Sequence, residues 1–400
     1  MFDAIQLDRY AKTLLWGLNK ARKEPFAKGD IVLVRYDKDA LPLAEALWGL
    51  LLERGFSPVQ RMNPTWGMEL GFFERADDDQ LVFIPPGDEE LFTNLNGLIS
   101  LIAPASLTHL AGIDPKRIGT MLVARKFLRD ILEKREEAGS FGWTLCACPT
   151  KAQAESAGIS MEAYQEQIVK ACYLDQADPM AEWDRVWREA QAVKDWLNGL
   201  AVDHFHVQSA GCDLRVTPGE RRHWLGISGH NIPSFELFLS PDWRGTRGVY
   251  FADQPSFRSG NFVRGVRLEF TAGRVVKATA LEGQEFVRKQ LEMDEGACRL
   301  GEFSLTDRRF SRIDRFMANT LFDENYGGEF GNCHVAVGAS YSDTFAGEPS
   351  ELTRERKDEL GFNDSALHWD LVNTEDKEVT AHLKGGGTVR IYAHGEFQTT

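Results

Sequence analysis

The 400-residue chain has no Cys-x-x-Cys pair; its six cysteines, Cys146, Cys148, Cys172, Cys212, Cys298 and Cys333, are scattered. That spacing excludes a zinc ribbon and suggests no disulfide framework. Basic charge is also scarce, with 46 Lys and Arg against 60 Asp and Glu and a formal net charge of −14. Binding nucleic acid through its phosphates needs a clustered basic face, so no such partner is expected. An anionic membrane surface is disfavoured for the same reason. No apolar run approaches the ~18 residues of a membrane span. The opening Met1-Phe2-Asp3-Ala4-Ile5-Gln6 lacks the basic and apolar blocks of a secretory signal. The expectation is a cytoplasmic protein with free thiols.

Several catalytic signatures are missing too. There is no GxxxxGK[ST] loop, no GxGxxG after a strand, no GxSxG elbow and no HExxH helix. Phosphate-loop nucleotide binding, the serine triad and zincin chemistry therefore have no support. Lys384-Gly385-Gly386-Gly387-Thr388 is glycine-rich but lies between two strand-like runs and reads as a turn. Cys146-Ala147-Cys148 ends the apolar run from Trp143 and reads as a buried strand.

At about 150 residues per domain, the length suggests two domains or three. The first part alternates helical and strand-like segments. Leu7, Leu14, Leu15 and Leu18 recur at helical spacing; Ile31–Val34, Leu81–Ile84, Leu98–Ile102 and Trp143–Cys148 are short apolar runs. A helix from Leu41 to Glu53 ends at Gly55, and Asp114-Pro115 opens another that runs to about Glu137. This rhythm predicts an α/β N-terminal domain, residues 1–196, with an open, mainly parallel sheet. Helices over 161–172 and 179–197 bridge to the second domain. Residues 197–400 read as a strand-rich α+β domain, with a hairpin at Ala272-Gly273 and one helix over 285–299.

The chemistry-bearing residues gather in that second part. Leu367-His368-Trp369-Asp370-Leu371 alternates, so His368 and Asp370 share one strand face while the apolar residues fill the other. His334 shares its face with the small Ala336 and Gly338. Glu236 lies in an apolar stretch after Asn231-Ile232-Pro233, and Glu302 opens a strand directly after Gly301. Ionised carboxylates in such settings need a partner or a cation. Glu236, Glu302, His334, Tyr341, His368 and Asp370 thus form an ordered set of three carboxylates, two imidazoles and a phenol. Mixed oxygen and imidazole donors suit Zn²⁺, Co²⁺, Mn²⁺ or Mg²⁺, and this number suffices for two ions sharing a carboxylate.

The order and context of these residues resemble the M29 family of metalloaminopeptidases. The motifs are Asn231-Ile232-Pro233 before Glu236, Leu300-Gly301-Glu302 after Asp294-Glu295-Gly296, and Phe322-Asp323-Glu324-Asn325 before His334. Tyr341 comes seven residues later, and His368-Trp369-Asp370 closes the set. Leu7-Asp8-Arg9-Tyr10-Ala11 and Ala111-Gly112-Ile113-Asp114-Pro115 extend the likeness into the first half. Two departures are Phe235, where the family often has an acid, and the longer stretch Tyr326-Gly327-Gly328-Glu329-Phe330-Gly331.

The resemblance implies removal of the N-terminal residue from peptides with a free amino terminus, by two divalent ions and an activated water. It makes Glu302 the bridging carboxylate, with Glu236, His334, His368 and Asp370 completing the ligands. Tyr341 is then a weak ligand or a hydrogen-bond donor to the oxyanion, and Glu324 or Glu329 the general base. It also implies a homodimer. Two rival readings are a non-haem iron oxygenase, in which His382 or His394 joins His368 and Asp370, and a non-catalytic two-domain binding protein.

Overall fold

In the computed structural model, which describes residues 2–258, 260–348 and 351–399, helices and parallel strands alternate through the first half. The elements are α1 (Ala4–Ala21), β1 (Ile31–Tyr36), α2 (Leu41–Glu53), β2 (Ser57–Met62), α3 (Trp66–Arg75), α4 (Asp78–Leu81) and α5 (Asp88–Asn94). Next come β3 (Gly97–Ile102), α6 (Pro115–Ala124), α7 (Lys126–Glu137), β4 (Gly142–Ala147), α8 (Lys151–Ala157), α9 (Met161–Ala171) and α10 (Pro179–Asn198). An Asp3–Gln6 capping box starts α1. Tyr10, Leu14 and Leu18 are fully buried at four-residue intervals, so one stripe of α1 enters the core. The sheet order is β2-β1-β3-β4 followed by β7 (Asn231–Ile232), every pair parallel, as expected.

The second half is strand-rich. It contains β5 (Val202–Ser209), β6 (Asp213–Val216), β7 (Asn231–Ile232), β8 (Glu236–Leu239), β9 (Arg247–Ala252), β10 (Ser256–Arg258) and β11 (Asn261–Val263). Then follow β12 (Val266–Thr271), β13 (Arg274–Thr279), α11 (Gln284–Leu291), β14 (Leu300–Thr306), α12 (Thr320–Asp323) and β15 (Asn332–Gly338). The chain finishes with α13 (Arg354–Leu360), β16 (His368–Asn373), β17 (Lys377–Leu383), β18 (Thr388–Ala393) and β19 (Glu396–Phe397).

The chain divides into one unit of Met1–Trp183 with Ser228–Pro233, and another of Asp184–Ile227 with Ser234–Thr400. The return visit at residues 228–233 carries β7, the last strand of the parallel sheet. In the second unit an antiparallel sheet of order β13-β12-β9-β6-β5-β17-β18-β19 accompanies a four-stranded one of order β16-β15-β14-β8. Two buried tyrosines tie these sheets together. The Tyr250 hydroxyl lies 2.7 Å from the Leu371 carbonyl, and that of Tyr392 lies 2.7 Å from the Thr306 carbonyl.

The hairpin at Ala272-Gly273 is present, both residues having positive φ (47° and 79°) as a tight two-residue turn demands. The glycine-rich Lys384–Thr388 segment joins β17 to β18 as a turn. All six cysteines are free, with Cys146 and Cys148 buried.

Three local expectations are corrected. Leu81–Ile84 is not a strand: Asp77 and Gln80 form a capping box that starts the short α4, and Val82 and Phe83 stay exposed. The helix from Asp114 breaks at Arg125 into α6 and α7. The helix expected over 285–299 stops at Leu291, and beyond it the Asp294 carboxylate accepts from the backbone of Gly296 and Ala297. That local turn competes with further helix.

Candidate metal centre

Register in the four-stranded sheet brings the residues together. Ala336 on β15 lies opposite Glu302 on β14 and Asp370 on β16. One step along, His334 faces Ser304 and Val372; on the other side Gly338 faces His368. Thr306 faces Glu236 on β8. Side chains alternate with period two, so Glu236, Glu302, His334, His368 and Asp370 all project from one face. Trp369 and Leu371 fill the opposite face, both nearly inaccessible, as the alternation predicted.

A bulge re-aims the central glutamate. Leu300 pairs with Val337 but Glu302 pairs with Ala336, so Gly301 is an extra residue in β14. Without it Glu302 would share the face of Leu300. A Cβ on Gly301 would lie 2.2 Å from the Ala339 carbonyl oxygen, so only glycine permits this approach. Gly338 is likewise dictated by its backbone: φ is +105° and a Cβ would lie 2.1 Å from the Leu367 carbonyl oxygen. Ala336, between two carboxylates, is the small residue that leaves room on this face.

The resulting cluster is buried and tight. His334 Nε2 is 3.0 Å from Glu302 Oε1 and 3.2 Å from Glu236 Oε2. The other Glu302 oxygen, Oε2, lies 3.8 Å from His368 Nε2, which is 3.4 Å from Asp370 Oδ1. His368 Nδ1 is 2.9 Å from the Ala339 carbonyl. A carbonyl only accepts, so Nδ1 carries the proton there and Nε2 faces the carboxylates. The Ser304 hydroxyl donates to Glu236 Oε2 at 3.2 Å. Tyr341 is 46% exposed, and its ring centroid sits 4.7 Å from that of His368.

Charge crowding shows in the acid strengths. Burial raises the Glu302 carboxyl to about 7, with Glu236 adding to the rise and the His334 hydrogen bond opposing it. Burial alone would lower both imidazoles. The neighbouring carboxylates prevail, holding His334 well above its ordinary value and His368 at about 9. Asp370 drops to about 2, because His368, His334 and Arg258 together outweigh its desolvation. Burial, then Glu302 and Asp370, push the Tyr341 phenol upward, so it is a neutral donor.

Of the two base candidates, Glu324 belongs to this neighbourhood. Its carboxyl is pushed well above the usual range by burial and then by Glu236 and Asp370. Glu329 is exposed. The segment containing Glu329 is anchored: Gly327 and Gly328 both donate to the Ile313 carbonyl, and Asn332 donates to Tyr326 O at 2.7 Å. Phe235 is fully buried. His382 and His394 do not complete a triad with His368 and Asp370. His382 stacks on His204 in the eight-stranded sheet, and His394 contacts Asp376 at 3.3 Å.

Three residues support the site in roles that no local pattern reveals, Asn325 standing in the sequence only as the end of the Phe322–Asn325 motif. Asn325 Oδ1 accepts from Phe235 N and Glu236 N (2.5 and 3.1 Å), fixing the start of β8. Ser304 is recognisable only through its register opposite His334. Arg258 donates to the His368 carbonyl at 2.8 Å and adds positive charge near Asp370. Its short strand carries no local signal.

The donor chemistry fits a divalent cation. Donor atoms of Glu236, Glu302 and His334 lie within 4.8 Å of one another, and buried carboxylates this close repel unless protonated or bound to positive charge.

Such a cluster of carboxylates and imidazoles on one sheet face suits a metal-dependent protein. The chain belongs to the thermophilic metalloprotease (M29) family, whose sequence pattern matches residues 3–397, and the resemblance read from its motifs is borne out. Its relatives include aminopeptidase T of Thermus aquaticus, 30% identical over 72% of this chain and 73% of that protein. Aminopeptidase 2 of Geobacillus stearothermophilus is 29% identical over 98% and 97% of the two chains. Aminopeptidase AmpS of Bacillus subtilis (strain 168) is 28% identical over 78% of each. Wild-type AmpT from Thermus thermophilus shares the fold, with a TM-score of 0.79 over 98% of both chains at 23% identity. The protein is therefore a metallopeptidase, a hydrolase.

Proposed function

We propose that this protein removes the N-terminal residue from peptides, using two divalent ions held by Glu236, Glu302, His334, His368 and Asp370. The carrying observation is the placement of Glu302. One of its oxygens is 3.0 Å from His334 and the other 3.8 Å from His368, which suits a carboxylate shared between two ions. Glu236 and His334 would hold one ion together with Glu302, and His368 with Asp370 the other. Bound there, the ions would supply Lewis acidity, making water a better nucleophile and polarising the scissile carbonyl.

The remaining steps fall to the chain's own groups. Glu324, half-buried with a raised carboxyl pKa, takes a proton from the attacking water as the new C–O bond forms. It returns the proton to the amine as the C–N bond breaks. Tyr341, protonated and packed at a tilt beside the His368 ring, donates a hydrogen bond to the developing oxyanion. The acidic surroundings attract the ammonium end of a peptide, which favours chain termini over internal bonds.

Metal analysis combined with cleavage of an aminoacyl p-nitroanilide, in the presence of Zn²⁺, Co²⁺ or Mn²⁺, tests this reading. Two ions per chain and release of nitroaniline are expected, and both fall away in Glu302→Ala. A binding protein would release no product. Retained turnover in a metal-replete His368→Ala enzyme would overturn the assignment. The homodimer belongs to the same proposal and is read by light scattering.

A further inference from the structure

A second group of histidines lies outside the four-stranded sheet. His204 and His206 are two residues apart on β5, and His382 pairs directly opposite His204 on β17. The intervening Phe205, with Val207, Val379 and Ala381, is buried, so the three imidazoles stand on the outer face of the eight-stranded sheet. The rings of His204 and His382 stack at 4.2 Å between centroids, and that of His206 is 6.2 Å from that of His382.

Two of the rings are already oriented by carboxylates. His204 Nδ1 is 2.8 Å from Asp203 Oδ2, and its Nε2 is buried without a hydrogen-bond partner among the described residues. His206 Nε2 is 2.7 Å from Asp213 Oδ1, which leaves Nδ1 as its other donor. A carboxylate on one ring nitrogen with the opposite nitrogen left over is how proteins commonly prepare a metal-binding imidazole. Arg215, opposite His206 on β6, is a positive charge on the same face; Asp203 and Asp213 offset it. The stacked His382 ring must turn about χ2 to aim at a shared point, and that torsion is broad and easily rotated.

We propose that His204, His206 and His382 form a separate site for one borderline transition-metal ion of the Zn²⁺, Ni²⁺ or Cu²⁺ class, stapling β5 to β17. Three imidazoles without a coordinating carboxylate favour these ions over Mg²⁺ or Ca²⁺. The staple would join the first strand of the sheet to one near the end of the chain. It shares no residue with the catalytic cluster, so it stands or falls independently of the peptidase reading.

The test is Cu²⁺ titration of the full-length, tag-free protein against His382→Asn and His204→Asn/His206→Asn. The readouts are metal content after gel filtration, electron paramagnetic resonance and anilide cleavage. Wild type should hold one more equivalent than either variant, and the difference spectrum should show coupling to several nitrogens. Cleavage should be unchanged. Asp213→Asn should weaken this equivalent by roughly tenfold, as loss of an outer-shell carboxylate does. Equal stoichiometry in wild type and variants overturns the proposal. So does loss of cleavage in His382→Asn, because that would place His382 in the catalytic machinery.

Discussion

Glu324 and Glu302 occupy the same buried neighbourhood, yet different work is expected of them. Glu302 sits between the two histidines, whereas Glu324 faces Glu236 and Asp370. Glu324→Gln should therefore keep its metal ions while losing about 10²–10⁴ in kcat; metal content and steady-state kinetics on one preparation separate the two effects. Protonation gives a second prediction. Without a cation, burial raises Glu302 to about 7, and carboxylate neighbours hold His368 at about 9 against its desolvation. A raised pKa means a tightly held proton, which an entering cation must displace. Metal affinity should accordingly climb with pH until about 9 and fall steeply below about 7. Apparent dissociation constants measured across that range check the sign, and a pH-independent affinity would contradict it.

Among the elements, β14 shows how one residue directs a whole site. Gly301 supplies the bulge that turns Glu302 onto the face of His334. Gly301→Ala places a Cβ against the Ala339 carbonyl. The strand must shift or lose the bulge, at about 1–3 kcal/mol of stability, and Glu302 loses its aim. Calorimetry should show a modest loss, while bound metal and cleavage fall together. Leu-Gly-Glu was legible in the sequence as a motif; its bulge was not, because register is a property of two strands. The alternation around His368 and Asp370 was readable because strand period alone assigns faces. The expected strand at Leu81–Ile84 failed because a capping box, a local hydrogen-bonding device, prevailed over apolar composition.

For the whole molecule, the chain path matters more than a linear division at residue 196. Residues 228–233 lie within the first unit and supply β7 to its sheet. Expressed alone, residues 197–400 would keep every proposed ligand but leave the backbone groups of β7 without β4. Aggregation or poor solubility is expected, read by size-exclusion chromatography beside the full chain; a soluble, monodisperse, metal-binding fragment would refute this. Chelation acts at the same scale. A metal bound only by the folded state adds stability by mass action, about 2.7 kcal/mol at a hundredfold excess over Kd. EDTA should lower the thermal midpoint of the wild type and shift Glu302→Ala much less.

The amino-acid sequence alone determined the strand periods, the residue types and the order of Glu236, Glu302, His334, Tyr341, His368 and Asp370. These are local or one-dimensional properties, set by alternation and composition. Tertiary structure decided which candidates meet. It put Glu324 rather than Glu329 beside the carboxylates, removed His382 and His394 from the neighbourhood of His368, and added Asn325, Ser304 and Arg258. The physical reason is common to all of these. A pKa, a hydrogen bond or a shared donor set depends on distances of a few ångströms between strands far apart in sequence, and only pairing register and burial fix those distances.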